Sequence, residues 1–495
     1  MSEKLEGYVI YCKEFNNVIP FGVVSDNYEC NALTNHIPTK LKEYLVEVED
    51  RRFFDHNGID FKGISRAFAE NVKAGKIVQG GSTITQQLAR NILKDNRKTV
   101  VRKVRETIKA LELENKYTKD EILDLYFNNV YFGKNLRGIR TAGLYYFGKE
   151  VEKLNQSELL YLLTIIRGPN FYTQKPEITA KRLNFISNSL HEKKLISKSR
   201  NQKNLKAKFN INNNTLLNIK SVSVPFITEK TDSNKKKILS TIDITIQNFA
   251  KQFVSDSKYP VSIIAIKNNK VVAFASSYGS DYPFIYKSNV GSTLKPFLYC
   301  HLRDNGVSKF EKFNSYKNNF NWDVREVGSY KSQLNLSEAL FYSNNNTFLN
   351  AANNINIEKS LSYLADIFNR DKKEFYPSSI LGATKNGISL FELASAYSTF
   401  FSPKNLSDSK IECLSILNRI FADKLGFTIE NAFLKTGTTN DNKDRFAILG
   451  DAELTFAVLR NENELNDESK EGGFIYQIRR SFSSFFNTDK NYKWI

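Results

Sequence analysis

The sequence predicts a multidomain α and α+β chain, and three observations carry that prediction. Its 495 residues exceed what one core usually organises. Residues 40–196 place apolar side chains at helical spacing and hold few strand-like alternations. After residue 240, β-rich runs interleave with helical stretches, the pattern of an α+β domain over 240–462. With 41% hydrophobic and 25% charged residues, the composition is that of a globular protein.

The helical elements follow in order. "TVVRKVRETIKALELENKY" sets Val101, Val104, Ile108 and Leu111 on one helical stripe, with Arg102, Lys103, Arg105, Glu106 and Lys109 off it. "TKDEILDLYFNNVYFG" opens on Thr118 with Glu121 three residues on, a capping box. "NQSELLYLLTIIRG" reads as an apolar helix that stops near Gly168-Pro169. Residues 1–39 read as a lead-in, and the Lys/Asn/Ser-rich stretch 197–239 as a linker. "VSIIAIKNNKVVAFASS" is a hairpin candidate around Asn268-Asn269. Helices are expected around 292–303, 336–353 and 387–401, and strands at "AFLKTGTT" and "LTFAVLR". Residues 463–495 form a basic amphipathic tail with Phe474, Ile475, Ile478, Phe482, Phe485 and Phe486 on one face. Such a tail either lies in a membrane interface or packs on its own domain.

Lys+Arg 71 against Asp+Glu 53 leaves +18, which favours anionic partners. No recognised nucleic-acid module accompanies that charge, so phospholipid headgroups or a phosphate-bearing substrate are expected and nucleic acid is not. Cys12, Cys30, Cys300 and Cys413 form no CxxC pair and no His/Cys cluster, so neither a zinc site nor a disulfide framework is indicated. The first residues, "MSEKLEGYVIYCKEF", carry no signal pattern, and the longest apolar run, "LLYLLTII", is too short to span a bilayer.

Two polar constellations stand out. In the first, "VEVEDRRFFDHNGID" puts Glu49 and Asp50 before two arginines. "QGGSTITQQLARN" then supplies Ser82, Thr83, Thr85, Gln86, Gln87 and Arg90 after two glycines, a loop and helix suited to a phosphate-bearing ligand. "RKVRE" adds Arg102, Lys103 and Glu106. In order, "EDRRFFDHNGID", "GGSTITQQ", "RKVRE", "ILDLYFNNVYFG" and "AGLYYFGKEVEKLNQSELLYL" resemble the successive motifs of the peptidoglycan glycosyltransferases, glycosyltransferase family 51, over about 40–195. The resemblance implies a lysozyme-like helical fold that polymerises lipid II. It places Glu49 on the general base and Glu106 on the second acidic residue. Asp50, Ser82, Gln86, Arg90, Arg102 and Lys103 fall around the substrate, with Arg90, Arg102 and Lys103 suited to neutralising a pyrophosphate leaving group. No cofactor is required; Glu106 could orient those cations or a divalent metal. Where the family usually has Glu, this chain has Asn129.

The second constellation is "GSTLKPF", with Ser292-x-x-Lys295, followed by "YSNNN" and "LKTGTT". A bare SxxK recurs here at Ser233, Ser255 and Ser407, so the motif alone is weak. The ordered trio resembles the penicillin-binding transpeptidases and serine β-lactamases, and "STIDITIQ" and "LGATKNGISLFELASAYSTF" resemble segments of class A penicillin-binding proteins. The resemblance implies a Ser292 acyl-enzyme formed with Lys295 as proton acceptor, with Ser343 and Asn345 relaying protons and holding the peptide. Lys435, Thr436, Gly437 and Thr438 would bind the terminal carboxylate and line the acyl site. The implied partners are lipid II, nascent peptidoglycan, β-lactams as covalent inhibitors and a membrane surface. The implied location is the extracytoplasmic face of a bacterial membrane, reached peripherally or by an anchor outside this sequence. A non-catalytic cell-wall scaffold is the alternative, raised by Asn129 and the short second domain. A hydrolase is conceivable as well, since paired carboxylates also serve glycosidases.

Overall fold

The computed structural model describes residues 7–14, 17–26, 29–76, 80–93, 99–209, 217–320, 322–324, 326, 331–439, 444–451, 453–461 and 472–488. The chain divides into two units, 1–224 with 229–240, and 225–228 with 241–495.

The first unit joins a small sheet to a helical bundle. Strands β1 (Val9–Glu14) and β2 (Asn17–Val24) pair antiparallel. Helices α1 (Thr39–Glu49), α2 (Phe61–Ala74), α3 (Ile84–Leu93), α4 (Val100–Lys116), α5 (Lys119–Asn129), α6 (Ile139–Phe147), α7 (Gln156–Ile165), α8 (Pro176–Glu192) and α9 (Lys198–Leu205) follow. Strands β3 (Leu217–Ile219), β4 (Thr228–Asp232) and β5 (Lys237–Asp243) return to the sheet, giving the order β3-β2-β1-β5-β4. The 1–39 lead-in and the 197–239 linker are therefore corrected: both contribute strands to one sheet. Val9, Ile10, Val23 and Ile238 are buried there, and the surrounding Lys and Asn obscured this short alternation. Residues 1–6, 15–16, 27–28 and 210–216 of those two stretches lie outside the described residues.

Helix α7 is apolar around its circumference, and Glu158 through Ile165 are buried. The expected cap forms, Thr118 with Glu121 opening α5, and the structure adds a second capping box, Asn155 with Glu158, at the start of α7. Helix α4 turns its apolar stripe outward. Val101 is 61% exposed, Val104 52% and Ile108 54%, whereas Glu106 is 2% exposed. A carboxylate occupies the inward face because basic partners await it there.

In the second unit, α10 (Ile244–Ser255) packs on the hairpin β6 (Val261–Lys267) and β7 (Lys270–Ser276). Asn268 and Asn269 both adopt positive φ at its turn, the conformation a two-residue hairpin loop needs. Helices α11 (Lys295–Asp304), α12 (Leu336–Tyr342), α13 (Asn345–Ile355), α14 (Leu390–Phe400) and α15 (Asp408–Leu425) precede β8 (Phe433–Thr438), β9 (Asp444–Gly450) and β10 (Leu454–Asn461). The sheet order is β8-β9-β10-β6-β7, so β8 is an edge. Every residue of β9 and β10 is buried, odd and even positions alike, which means both faces are covered. The helix expected over 336–353 is broken at Ser343, whose φ of 63° is left-handed.

The tail forms α16 (Gly472–Thr488) and packs on its own domain. Phe474, Ile478, Phe482, Phe485 and Phe486 are buried; Phe482 and Phe485 meet Phe249 and Phe456, and Arg460 lies 5.0 Å from the Phe474 ring centroid. An interfacial role for this stripe is thereby corrected. Residues 463–471 and 489–495 of the tail lie outside the described residues.

Candidate functional site

Glu49 ends α1, and two neighbours hold its carboxylate. Gln87 Nε2 donates to Oε2 at 3.5 Å and Arg182 lies 3.5 Å from Oε1. Tyr126, fully buried, donates from its hydroxyl to Gln87 Oε1 at 3.1 Å, which fixes the amide's orientation. Asp50 faces inward instead. Its carboxylate accepts from the Ile84 backbone N–H at 3.0 Å and lies 3.1 Å from His56 Nε2. It thus tethers the start of α3 to the end of α1 while lining the same cavity as Glu49. Glu49, Arg51, Arg52, Arg66, Gly81 and Ser82 line a polar cavity of about 490 Å³.

Helix α3 carries the connection to the second acidic residue. Gln87 reaches Glu49, while Gln86, one position back, accepts from Lys103 Nζ at 3.4 Å. Lys103 also donates to Ser82 Oγ at 3.0 Å and lies 3.4 Å from Glu106 Oε2. Arg102 closes on Glu106 Oε1. Burial lowers the Lys103 pKa, opposed by the Glu106 charge and reinforced by Arg90 and Arg102. Glu106 therefore gathers two cations beside Ser82 at the cavity wall. Basic groups occupy both Glu106 oxygens. Asn129 donates to Leu125 O within α5 and receives Arg137 on its backbone carbonyl, a structural use.

The second constellation also converges. Ser292 lies in a short 3-10 turn, Gly291–Leu294, that runs into α11. Lys295, fully buried, donates to Ser343 O, to Asn345 Oδ1 at 2.6 Å and to Ser343 Oγ at 3.4 Å. From the other side, Lys435 donates to the same Ser343 Oγ at 2.9 Å. Ser343 thus bridges two lysines, and its left-handed backbone aims its groups at both. Among the described residues no hydrogen bond joins Lys295 to Ser292, a separation common before substrate binds.

Two glycines bring strand β8 against this turn. A Cβ on Gly437 would fall 2.4 Å from Val290 O, and one on Gly291 2.4 Å from Thr438 O. Thr436 and Thr438 share a side of β8, where Thr436 is half-buried and Thr438 exposed. Arg445, which follows Asp444 on β9, is buried.

Burial drives the Lys295 pKa well below the usual ammonium range, opposed by the charge of Glu326. Burial raises the Glu326 pKa, while the backbone N–H groups of Asn345 and Asn346 and the Lys295 charge lower it. Those N–H groups donate to Glu326 at 2.8 Å each, so this carboxylate caps α13 and holds Asn345 in place. Neither Glu326 nor Arg182 is singled out by the sequence. Glu326 sits in a polar loop and Arg182 on an ordinary helix, and only the tertiary fold brings them to the two sites.

The transglycosylase family model matches residues 20–191. Penicillin-binding protein 1F of Bacillus subtilis (strain 168) is 31% identical over 411 residues, covering 74% of this chain and 56% of the relative. Penicillin-binding protein 1B of Buchnera aphidicola subsp. Acyrthosiphon pisum (strain APS) is 29% identical over 411 residues, with 73% and 53% covered. The chain thus spans about half the length of the curated relatives it matches. The crystal structure of Penicillin-Binding Protein 1A from Haemophilus influenzae aligns at TM-score 0.53 with 12% identity, over 98% of this chain and 93% of that one, a likeness of fold.

Proposed function

This chain belongs to the class A penicillin-binding proteins, and on that premise we propose that it polymerises lipid II into glycan strands and cross-links their stem peptides. One observation carries the polymerase reading: α3 joins Glu49, through Gln87, to the Lys103–Glu106 pair, through Gln86, while Glu49 and Ser82, the Lys103 partner, line one polar cavity. Glu49 takes the proton from the acceptor's 4-hydroxyl as that oxygen attacks the donor's anomeric carbon. The lipid pyrophosphate departs as an anion. Lys103, Arg102 and Arg90 neutralise it, so no strong acid is needed. Glu106 holds two of those cations in place.

In the second unit, Lys295 accepts the Ser292 proton as Oγ attacks the penultimate D-Ala carbonyl, and the terminal D-Ala leaves as the amine. The shared Ser343 hydroxyl supports a proton path between Lys295 and Lys435. Lys435 and Thr436 bind the terminal carboxylate, and edge strand β8 offers its backbone to the peptide. A β-lactam acylates the same serine. A scaffold would have no use for a buried Lys295, its pKa depressed by burial, donating to Ser343 and Asn345.

The substrate's polyprenyl tail requires work at a membrane surface on the extracytoplasmic side. Among the described residues no helix is long and apolar enough to cross a membrane. Two exposed apolar stripes support peripheral contact: Phe61, Phe68 and Val72 on α2, and Val101, Val104 and Ile108 on α4. Incubation with lipid II, with and without penicillin, followed by sizing and cross-link analysis of the products, tests the whole reading.

A further inference from the structure

Cys300 lies on α11 and Cys413 on α15, far apart in sequence, and both side chains are fully buried where these helices pack. Their contacts are reciprocal. Cys300 Sγ is 3.6 Å from the carbonyl of Ser409, four residues before Cys413. Cys413 Sγ is 3.8 Å from the carbonyl of Pro296, four residues before Cys300. In an α-helix the carbonyl at i−4 lies beside residue i, so each thiol rests against the other cysteine's own turn. Cys12 and Cys30, in the first unit, have no part in this contact.

We propose that Cys300 and Cys413 close a disulfide between α11 and α15 when the chain folds in an oxidising compartment. The compartment rests on the extracytoplasmic reading above; the pairing rests on geometry. Thiol–disulfide exchange supplies the chemistry. One cysteine, as thiolate, attacks a small-molecule or protein disulfide and releases one thiol. The second then attacks the mixed disulfide and releases the other. The S–S bond forms, the exchanging disulfide takes up the two electrons and becomes two thiols, and the two cysteine protons end on them.

Folding sets the timing. In the packed domain neither thiol meets solvent, and burial with the adjacent Cys300 holds the Cys413 pKa well above the ordinary thiol value. Exchange therefore proceeds before the two helices finish packing, and the finished bond resists reductant while the domain stays folded. The bond also spans the acylation site. Helix α11 begins at Lys295, and α15 packs against β8, which carries Lys435. Linking α11 to α15 fastens the two lysines that share Ser343. None of this is visible in the spacing of four scattered cysteines.

The test uses the purified full chain, refolded in a mixed oxidised and reduced glutathione buffer or in excess reductant. Maleimide alkylation under denaturation, with mass spectrometry of unreduced peptides, reads the thiols. Oxidative refolding is expected to leave two of four thiols alkylatable and to yield one linked peptide pair containing Cys300 and Cys413. Closing a loop on the order of 100 residues is expected to raise the Tm of the second unit by about 5–15 °C over the reduced form. Cys300→Ala and Cys413→Ala should each leave three alkylatable thiols and remove the redox dependence of Tm. Four alkylatable thiols after oxidative refolding, or a linked pair using Cys12 or Cys30, would overturn the pairing. A pair that links in the buffer but is trapped as free thiols from cells would overturn the extracytoplasmic placement and leave the pairing standing.

Discussion

Glu49 on α1 and Glu106 on α4 are both carboxylates reached from α3, yet their surroundings differ. Glu49 meets one amide and one distant arginine, both at 3.5 Å, which leaves room for a hydroxyl to approach. Glu106 is closed in by Arg102 and Lys103. Glu49→Gln is therefore expected to lower glycan polymerisation by 10²-fold or more while leaving penicillin labelling intact; yield within a few-fold of the parent would remove Glu49 from the base role. Lys295 supports a second residue-scale prediction. It must be uncharged to accept the Ser292 proton. Burial depresses its pKa and the Glu326 charge opposes that depression. Glu326→Gln removes the opposing charge, so the Lys295 pKa falls further and the acid limb of the acylation profile moves to lower pH. Penicillin acylation rates measured across pH would show this, and an unmoved limb would confine Glu326 to capping α13. Glu49, Glu106, Ser292 and Lys295 can be singled out in the sequence because each stands in a dense local motif. The sequence conceals Arg182 and Glu326 because no local pattern marks a residue whose partner is supplied by tertiary contact.

At the scale of elements, α4 and α16 invert each other. Both carry an apolar stripe at helical spacing, which sequence alone cannot assign to core or surface. Helix α16 buries its stripe against Phe249 and Phe456, whereas α4 exposes its own and buries Glu106. Phe482→Ala should cost the second unit about 3–5 kcal/mol, readable by chemical denaturation, and leave vesicle binding unchanged. Val104→Asp should do the opposite, weakening cosedimentation with anionic vesicles at unchanged stability. Loss of vesicle binding in the Phe482 variant would return the tail to the membrane. The capping box of α5 and the Asn268-Asn269 hairpin were legible because cap and turn chemistry is local. The strands at both margins of the helical bundle were not, because β3 and β4 pair only with strands distant in sequence or set within a Lys-rich run.

At the scale of the molecule, the +18 charge and the two exposed stripes are what support the proposed contact with an anionic lipid surface. Its vesicle binding should weaken as salt rises, because exposed charges are screened beyond about 10 Å at 0.1 M salt; salt-independent binding would assign the contact to the apolar stripes alone. The division into a helical unit and an α+β unit was legible, since period and β-rich runs change near residue 240. The central claim is that these units carry two chemistries on one substrate. Lipid II incubated with the purified chain, with and without penicillin, tests it most directly. The account predicts glycan strands that lengthen in both cases and peptide cross-links only without penicillin. Soluble muropeptides, or no strand growth with active lipid II, would contradict it.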